Sequence, residues 1–254
     1  MRTQVVRRLI AVAASAVLVM GIASGCSGSS SDGEDSSEKP ANKAPGAESA
    51  ADGSEDNDGR GGAQALSDGE LSKVALTTAD VKDFKVQKPP TEALQSETRP
   101  KADKSECQPI AGMIGDGQDP APTGTVYRQL TTTDSKKLGL ALFERLSGYS
   151  QKDAEKTMAD LHAAVEKCTG GFNTSEKSDS STYSAVKAVT APKAGDDIVA
   201  YELTGKLKGD QMPLLFTVVR QGSSVASFYS MNPFEPAKAE IPASVVTAQA
   251  EKLK

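Results

Sequence analysis

The chain has 254 residues, with 29 basic and 34 acidic side chains and a net charge of −5. Three arginines are the only charged residues among the first 26, whereas residues 27–64 hold nine acidic and three basic side chains. Residues 65–254 therefore carry a net charge of only −2. This near-neutral part gives no electrostatic reason to expect nucleic-acid binding or a basic patch for anionic lipid.

The N-terminus is typical of an export signal. Three arginines precede an apolar run, residues 9–22, that is short for a membrane span. Ala23-Ser24-Gly25-Cys26 resembles a bacterial lipobox, whose cysteine receives a diacylglycerol and acyl chains such as palmitate. We expect residues 1–25 to be a lipoprotein signal peptide and Cys26 to hold the chain, through its lipid, on the extracytoplasmic face of the cell membrane. The alternative is a secreted protein cleaved nearby, in which Cys26 has no role.

Residues 26–64 are expected to be a disordered tether that begins at the lipidated cysteine. From residue 27 onward this stretch contains no Val, Ile, Leu, Met, Phe or Tyr, so it has nothing to bury. Serine, glycine, alanine and acidic residues make up most of it. We expect it to hold the folded part away from the membrane surface.

The three cysteines predict one disulfide bond. If Cys26 carries lipid, Cys107 and Cys168 remain, and outside the cytoplasm such a pair tends to oxidise. A buried pair of free thiols is the alternative. Two cysteines without CxxC spacing do not predict a metal site.

Residues 65–254 fit one domain of alternating helices and strands. We predict helices at residues 67–75, 107–114, 149–168 and 241–253. We predict strands at residues 81–86, 125–132, 138–146, 181–191, 197–207, 213–220 and 224–231, and loops at 91–103 and 115–124. Short turns between the strands favour antiparallel pairing. The expected fold is α+β, an antiparallel sheet of about six strands with helices packed on one face.

The helix at residues 149–168 is the clearest element. Its apolar residues recur at steps of four and three and share one face: Ala154, Met158, Leu161, Val165 and Cys168. Ser150 or Asp153 can cap its start, and Gly170-Gly171 ends it. We expect this helix to cover one face of the sheet.

The exported part resembles the extracellular sensor domains of mycobacterial receptor kinases (PknH-like), as found also in a group of actinobacterial lipoproteins. The resemblance covers roughly residues 105–254. It depends on three segments in order: the helix that ends at Cys168, Gly195-Asp196-Asp197 before a strand, and the strand residues 218–225. The kinase domains carry two disulfides, whereas this chain can form one. The resemblance implies an α+β binding or sensing module that is not an enzyme.

Residues with catalytic or metal-binding chemistry are few. His162, the single histidine, lies at the border of the apolar stripe and is expected to pack there, although an acid–base or ligand role is the alternative. Asp196 and Asp197 are expected to form a polar turn, with calcium binding or hydrolysis as the alternative. The sequence predicts no catalytic residue, no metal and no cofactor. The aromatic residues are expected in the core, or around a cavity between sheet and helix that holds an apolar ligand.

The leading hypothesis is a non-catalytic surface lipoprotein that binds or senses an unidentified component of the cell envelope. A protein-interaction or scaffold lipoprotein of an envelope complex is the second hypothesis, and a hydrolase is the third. No nucleic-acid partner is expected.

The lipobox predicts the result of a substitution. Cys26→Ala should release the protein to the medium or leave an uncleaved precursor, because no acceptor for the lipid remains. Fractionation and the mass of the N-terminal peptide would measure this, with Ser27→Ala as the control. Unchanged processing and membrane attachment in Cys26→Ala would contradict the lipoprotein hypothesis.

Overall fold

A computed structural model describes residues 64–90, 98–177, 179–207 and 209–254. All the described residues belong to one compact unit of the chain. The predicted signal peptide, Cys26 and the tether up to residue 63 lie outside the described residues. They stay predictions.

The described residues form two antiparallel sheets. The strands are β1 Phe84–Gln87, β2 Lys101–Ala102, β3 Gly124–Thr132, β4 Ala141–Gly148, β5 Phe172–Glu176, β6 Asp179–Tyr183, β7 Ala185–Ala188, β8 Asp197–Leu207, β9 Asp210–Gln221 and β10 Ser224–Met231. The large sheet has the order β1-β3-β4-β10-β9-β8-β7, and the small sheet has the order β2-β5-β6. The described helices are α1 Asp68–Val74, α2 Gln108–Ile114, α3 Gln151–Lys167 and α4 Ala243–Lys252. The α+β class with an antiparallel sheet is therefore confirmed.

Helices cover both faces of the large sheet, not one as predicted. Adjacent residues of a strand point to opposite faces, and Val218 and Val219 of β9 lie in two separate apolar cores. Val218 packs on the face covered by α2 and α3, here called the front face, and Val219 packs on the back face, covered by α1 and α4. The sequence signal is the contiguous apolar pairs, such as Val225-Ala226, because a strand buried on both faces loses its polar–apolar alternation.

The predicted strand at residues 181–191 is two strands in different sheets. β6 pairs with β5 in the small sheet, whereas β7 pairs with β8 at the edge of the large one. The chain changes sheets at Ser184, whose N–H donates to the carbonyl of Thr204 at 2.8 Å. The sequence predicts neither β5 nor β2, which falls in the predicted loop 91–103, because β2 has two residues and β5 is mostly polar.

Two further strands begin later than predicted. β1 begins at Phe84 because a turn precedes it, in which Asp83 has a left-handed φ of 65°. β4 begins at Ala141 because residues 135–137 form a 3₁₀ turn. In that turn the Asp134 side chain accepts a hydrogen bond from the Lys136 N–H at 2.9 Å.

The prediction for α3 is confirmed at both ends. The Ser150 hydroxyl accepts a hydrogen bond from the N–H of Asp153 at 3.1 Å and so caps the first turn. The predicted apolar stripe is buried. Gly171, with φ 76°, follows the helix, and a Cβ atom there would lie 2.1 Å from the carbonyl oxygen of Tyr183. Only glycine fits where the chain turns so close to another strand.

A disulfide bond joins the start of α2 to the end of α3. Cys107 and Cys168 have a sulfur–sulfur distance of 2.03 Å and Cα atoms 5.9 Å apart, as such a bond requires. Cys107 is the residue before α2, and Cys168 is the residue after α3. The predicted disulfide is thus present, and it ties the short helix to the long one.

Removing this bond should destabilise the domain without changing its fold. The double substitution of Cys107→Ser and Cys168→Ser opens the loop that the bond closes, between two positions that are 61 residues apart in the sequence. The free energy of unfolding should fall by about 4 kcal/mol, because the unfolded chain gains the conformations that the bond excludes. Chemical denaturation of wild type and double variant would measure the difference. Labelling of both cysteines in denatured, unreduced wild type would contradict the prediction.

Candidate functional site

Three aromatic side chains form a floor on the front face of the large sheet. Phe143 of β4 pairs in register with Tyr229 of β10, which pairs with Phe216 of β9. The ring centroids lie 6.3 Å apart for Phe143 and Tyr229, and 5.1 Å apart for Tyr229 and Phe216. Tyr201 of β8 continues the row, its ring nearly parallel to that of Phe216 at 5.1 Å. Such cross-strand aromatic contacts fix the rings in place.

A half-open cavity of about 450 Å³, here called the central cavity, lies over this floor. Met113 and Ile114 line it from the end of α2, and Tyr183 and Leu214 line it from β6 and β9. Its volume and its largely apolar and aromatic lining are typical of small-molecule sites. The disulfide therefore holds the helix that supplies part of the cavity wall.

Polar groups meet at the Arg145 side of the central cavity. The Arg145 guanidinium donates to the carbonyl of Gly115 and to the sulfur of Met113, the latter at 3.1 Å. Its Nη1 lies 3.7 Å from Oδ1 of Asp116, and the Tyr127 hydroxyl donates to the same carboxylate oxygen. These contacts hold the loop after α2 against β3 and β4.

Burial raises the pKa of two tyrosines that line the cavity. It raises the pKa of Tyr229 to about 12 and raises the pKa of Tyr183 above its ordinary value. The Tyr229 hydroxyl donates to the sulfur of Met231 at 3.0 Å. These phenols therefore add no charge to the cavity at neutral pH.

The central cavity lies on the same sheet face as α3, but α3 does not line it. The sequence predicts an apolar cavity between the sheet and this helix. Instead, α3 covers the neighbouring part of the floor, where Tyr201 is fully buried, and α2 with the Gly115-Asp116 loop borders the cavity. The sequence does not predict the roles of Asp116 and Arg145, because only tertiary pairing brings the loop to β4.

His162 lies outside the central cavity and contacts an acidic residue. Its Nε2 is 2.9 Å from Oδ1 of Asp197, at the start of β8, and both side chains are partly exposed. No serine, threonine or cysteine side chain hydrogen-bonds to this pair in the part of the chain that the structure describes. Sequence reasoning missed the contact, because 35 residues separate the two.

Asp196 fixes the turn between β9 and β10. Its carboxylate accepts hydrogen bonds from the N–H of Gly222 at 2.8 Å and from the side chain of Gln221 at 3.2 Å, and it pairs with Arg220 at 3.3 Å. The two adjacent aspartates therefore have different protein partners.

The described residues contain no group of three or more His, Cys, Asp or Glu side chains that is arranged to hold a metal ion. No helix among them is long and apolar enough to cross a membrane.

Comparison with solved structures gives a structural likeness. No family model matches the chain, and no curated protein matches it. The structure is similar to the crystal structure of the extracellular domain of PknH from Mycobacterium tuberculosis, with a TM-score of 0.47 and 12% identity, over 76% of this chain and 97% of that one. At this level of similarity the neighbour assigns neither a ligand nor an activity to this chain.

A buried carboxyl group lies on the back face, opposite the central cavity. Glu144 of β4 is 1% exposed and pairs in register with Arg128 of β3. Arg128 directs its donors to the backbone carbonyls of Tyr127, Leu76 and Ser72. Burial raises the pKa of Glu144 to about 8, although the charge of Arg128 opposes this.

Glu144 should make stability depend on pH. The pKa of Glu144 in the folded state is above its unfolded value of 4.5. Its contribution to the free energy of unfolding is therefore fully present below about pH 4.5 and is lost as pH rises through about 8. Each pKa unit corresponds to about 1.4 kcal/mol. Unfolding of wild type and Glu144→Gln at pH 5 and pH 8 would measure this, with the exposed Glu166→Gln as the control. Between pH 5 and pH 8, the free energy of unfolding of wild type should fall by a few kcal/mol relative to that of Glu144→Gln. The same pH dependence in both proteins would contradict the prediction.

Proposed function

We propose that the chain is a lipid-anchored extracytoplasmic lipoprotein whose domain, without catalysing a reaction, binds or senses a component of the cell envelope in the central cavity. The observation that carries the binding role is the cavity itself. It has an ordered aromatic floor, a mostly apolar wall and a few fixed polar groups on one side. This combination is typical of ligand sites.

The proposed location follows from the sequence. Residues 1–25 have the form of a lipoprotein signal, and Cys26 stands where lipid is attached. The bond between Cys107 and Cys168 fits the same location, because disulfides persist in oxidising compartments.

The pair of His162 and Asp197 does not support the hydrolase hypothesis. Nucleophilic catalysis of this type needs a hydroxyl or thiol within hydrogen-bond reach of the base. The pair has no such neighbour among the described residues, and neither member lines the central cavity.

A protein-interaction role is the second candidate, favoured by an exposed apolar pair. Leu138 is 69% exposed and Phe234 is 82% exposed. Asn232 fixes both: its amide donates to the carbonyl of Leu138 at 3.1 Å, and its oxygen accepts from the N–H of Phe234 at 3.1 Å. Exposed apolar side chains on a backbone that is fixed in this way are common at protein contacts.

Native mass spectrometry of the full chain, purified from its own envelope, tests the proposed function. Wild type should retain a small-molecule ligand, and Leu214→Trp should lose most of it, because the larger side chain fills the central cavity. Leu215→Trp is the matched control, since the next residue of β9 points to the back face and does not line the cavity.

A ligand-free wild type, or equal retention in Leu214→Trp and Leu215→Trp, would contradict the proposal. Circular dichroism of both variants would confirm that they remain folded.

A further inference from the structure

Two further cavities adjoin the central cavity, and the three together are here called the groove. A second cavity of about 550 Å³, here called the basic cavity, shares Asp116 and Tyr127 with it. A third cavity of about 430 Å³, here called the methionine cavity, shares Tyr183, Leu214 and Tyr229 with it. Cavities that share wall residues lie side by side, so an elongated molecule that spanned the groove would contact all three.

The lining changes along the groove. Met212 and Met231 line the methionine cavity, together with the hydroxyl residues of β6 and Lys206. Aromatic rings line the middle. Arg99 and Lys101 line the basic cavity at the other end. Methionine adapts to apolar ligands of irregular shape, so the apolar part of a ligand fits the middle and the methionine cavity.

The basic cavity carries positive charge that its own residues do not neutralise. Among the described residues, the side chains of Arg99 and Lys101 form no ion pair or hydrogen bond, and both residues are exposed. Asp116 is the acidic residue in the lining, and it already contacts Arg145 and Tyr127. Glu176 is close, but it accepts from the backbone N–H of Arg99 at 2.9 Å and does not line the cavity.

We infer that the ligand is an amphiphile with a long acyl chain and an acidic head group. The acyl chain of the ligand lies along the floor formed by Phe143, Tyr229 and Phe216. The carboxylate or phosphate of its head group contacts Arg99 and Lys101. This inference rests on the proposed function, because it names the chemical class of the ligand for the same cavity. An apolar surface next to two exposed cations matches both halves of such a molecule.

Three probe molecules separate the contribution of the acyl chain to binding from that of the acidic head group. Dodecanoate carries both, dodecanol carries the chain with a neutral head, and acetate carries the acidic head alone. Isothermal titration would use the mature chain, residues 26–254, with Cys26→Ala so that it has no lipid of its own, after hydrophobic resin has removed co-purified ligand. Dodecanoate should bind most tightly, dodecanol more weakly, and acetate not measurably.

Variants at the basic cavity and at the central cavity test the head-group contact and the acyl-chain contact separately. Arg99→Gln with Lys101→Gln should weaken dodecanoate roughly tenfold and leave dodecanol unchanged, since two exposed charge contacts are lost. Arg99→Lys with Lys101→Arg keeps the charge and should retain binding. Lys152→Gln with Lys187→Gln removes two exposed lysines elsewhere and should have no effect. Leu214→Trp should weaken dodecanoate and dodecanol alike.

Equal affinity for dodecanoate and dodecanol, or no effect of Arg99→Gln with Lys101→Gln, would overturn the acidic amphiphile. Failure of both long-chain probes would also overturn it. If the full chain then still retained an envelope ligand that Leu214→Trp displaces, the proposed function would stand and only the ligand class would fall. If no such ligand were found either, both proposals would fall.

Discussion

The packing of α3 on the front face of the sheet is the contact on which the rest of the domain depends. Its stripe, including Met158 and Leu161, lies in one core with Tyr201 and Phe216 from the sheet. The burial of these large side chains contributes most of the local stability, at roughly 1.5–3 kcal/mol for each one fully buried. α2 has only seven residues and would be marginal alone. The bond from Cys107 to Cys168 fastens it to the end of α3, so the short helix takes its position from the long one.

The central cavity follows from this arrangement. Strand register alone places Phe143, Tyr229 and Phe216 in a row, but a row of rings on an open sheet is a surface and not a site. The end of α2 adds the wall, and Arg145 holds the following loop through Gly115 and Asp116. The floor is therefore a property of local pairing, whereas the wall depends on a disulfide and on one partly buried arginine, Arg145. A ligand that entered the cavity would touch both parts.

The sequence predicts what local patterns and the cysteine count encode, and it misses most of what distant pairing creates. The 4-3 spacing in α3, its serine cap and its glycine end are local, and they are confirmed together with the disulfide. The division of the predicted strand 181–191 at Ser184 depends on Thr204, and the position of Asp116 depends on Arg145; neither is visible in a short window. The apolar pair Val218-Val219 indicates a strand that is buried on both faces. It does not indicate that helices are the elements that cover those faces.

Three consecutive residues of β4 point alternately to the front and the back face of the large sheet. Phe143 and Arg145 point to the front face and border the central cavity, while Glu144 between them points to the back face beside Arg128. Leu142 and Leu146 pack in the back core and so fix which residues point forward. A shift of the strand by one residue would place Glu144 over the aromatic floor and bury Phe143 and Arg145 under α1 and α4. The burial of two leucines on one side of the sheet therefore determines the chemistry of the cavity on the other.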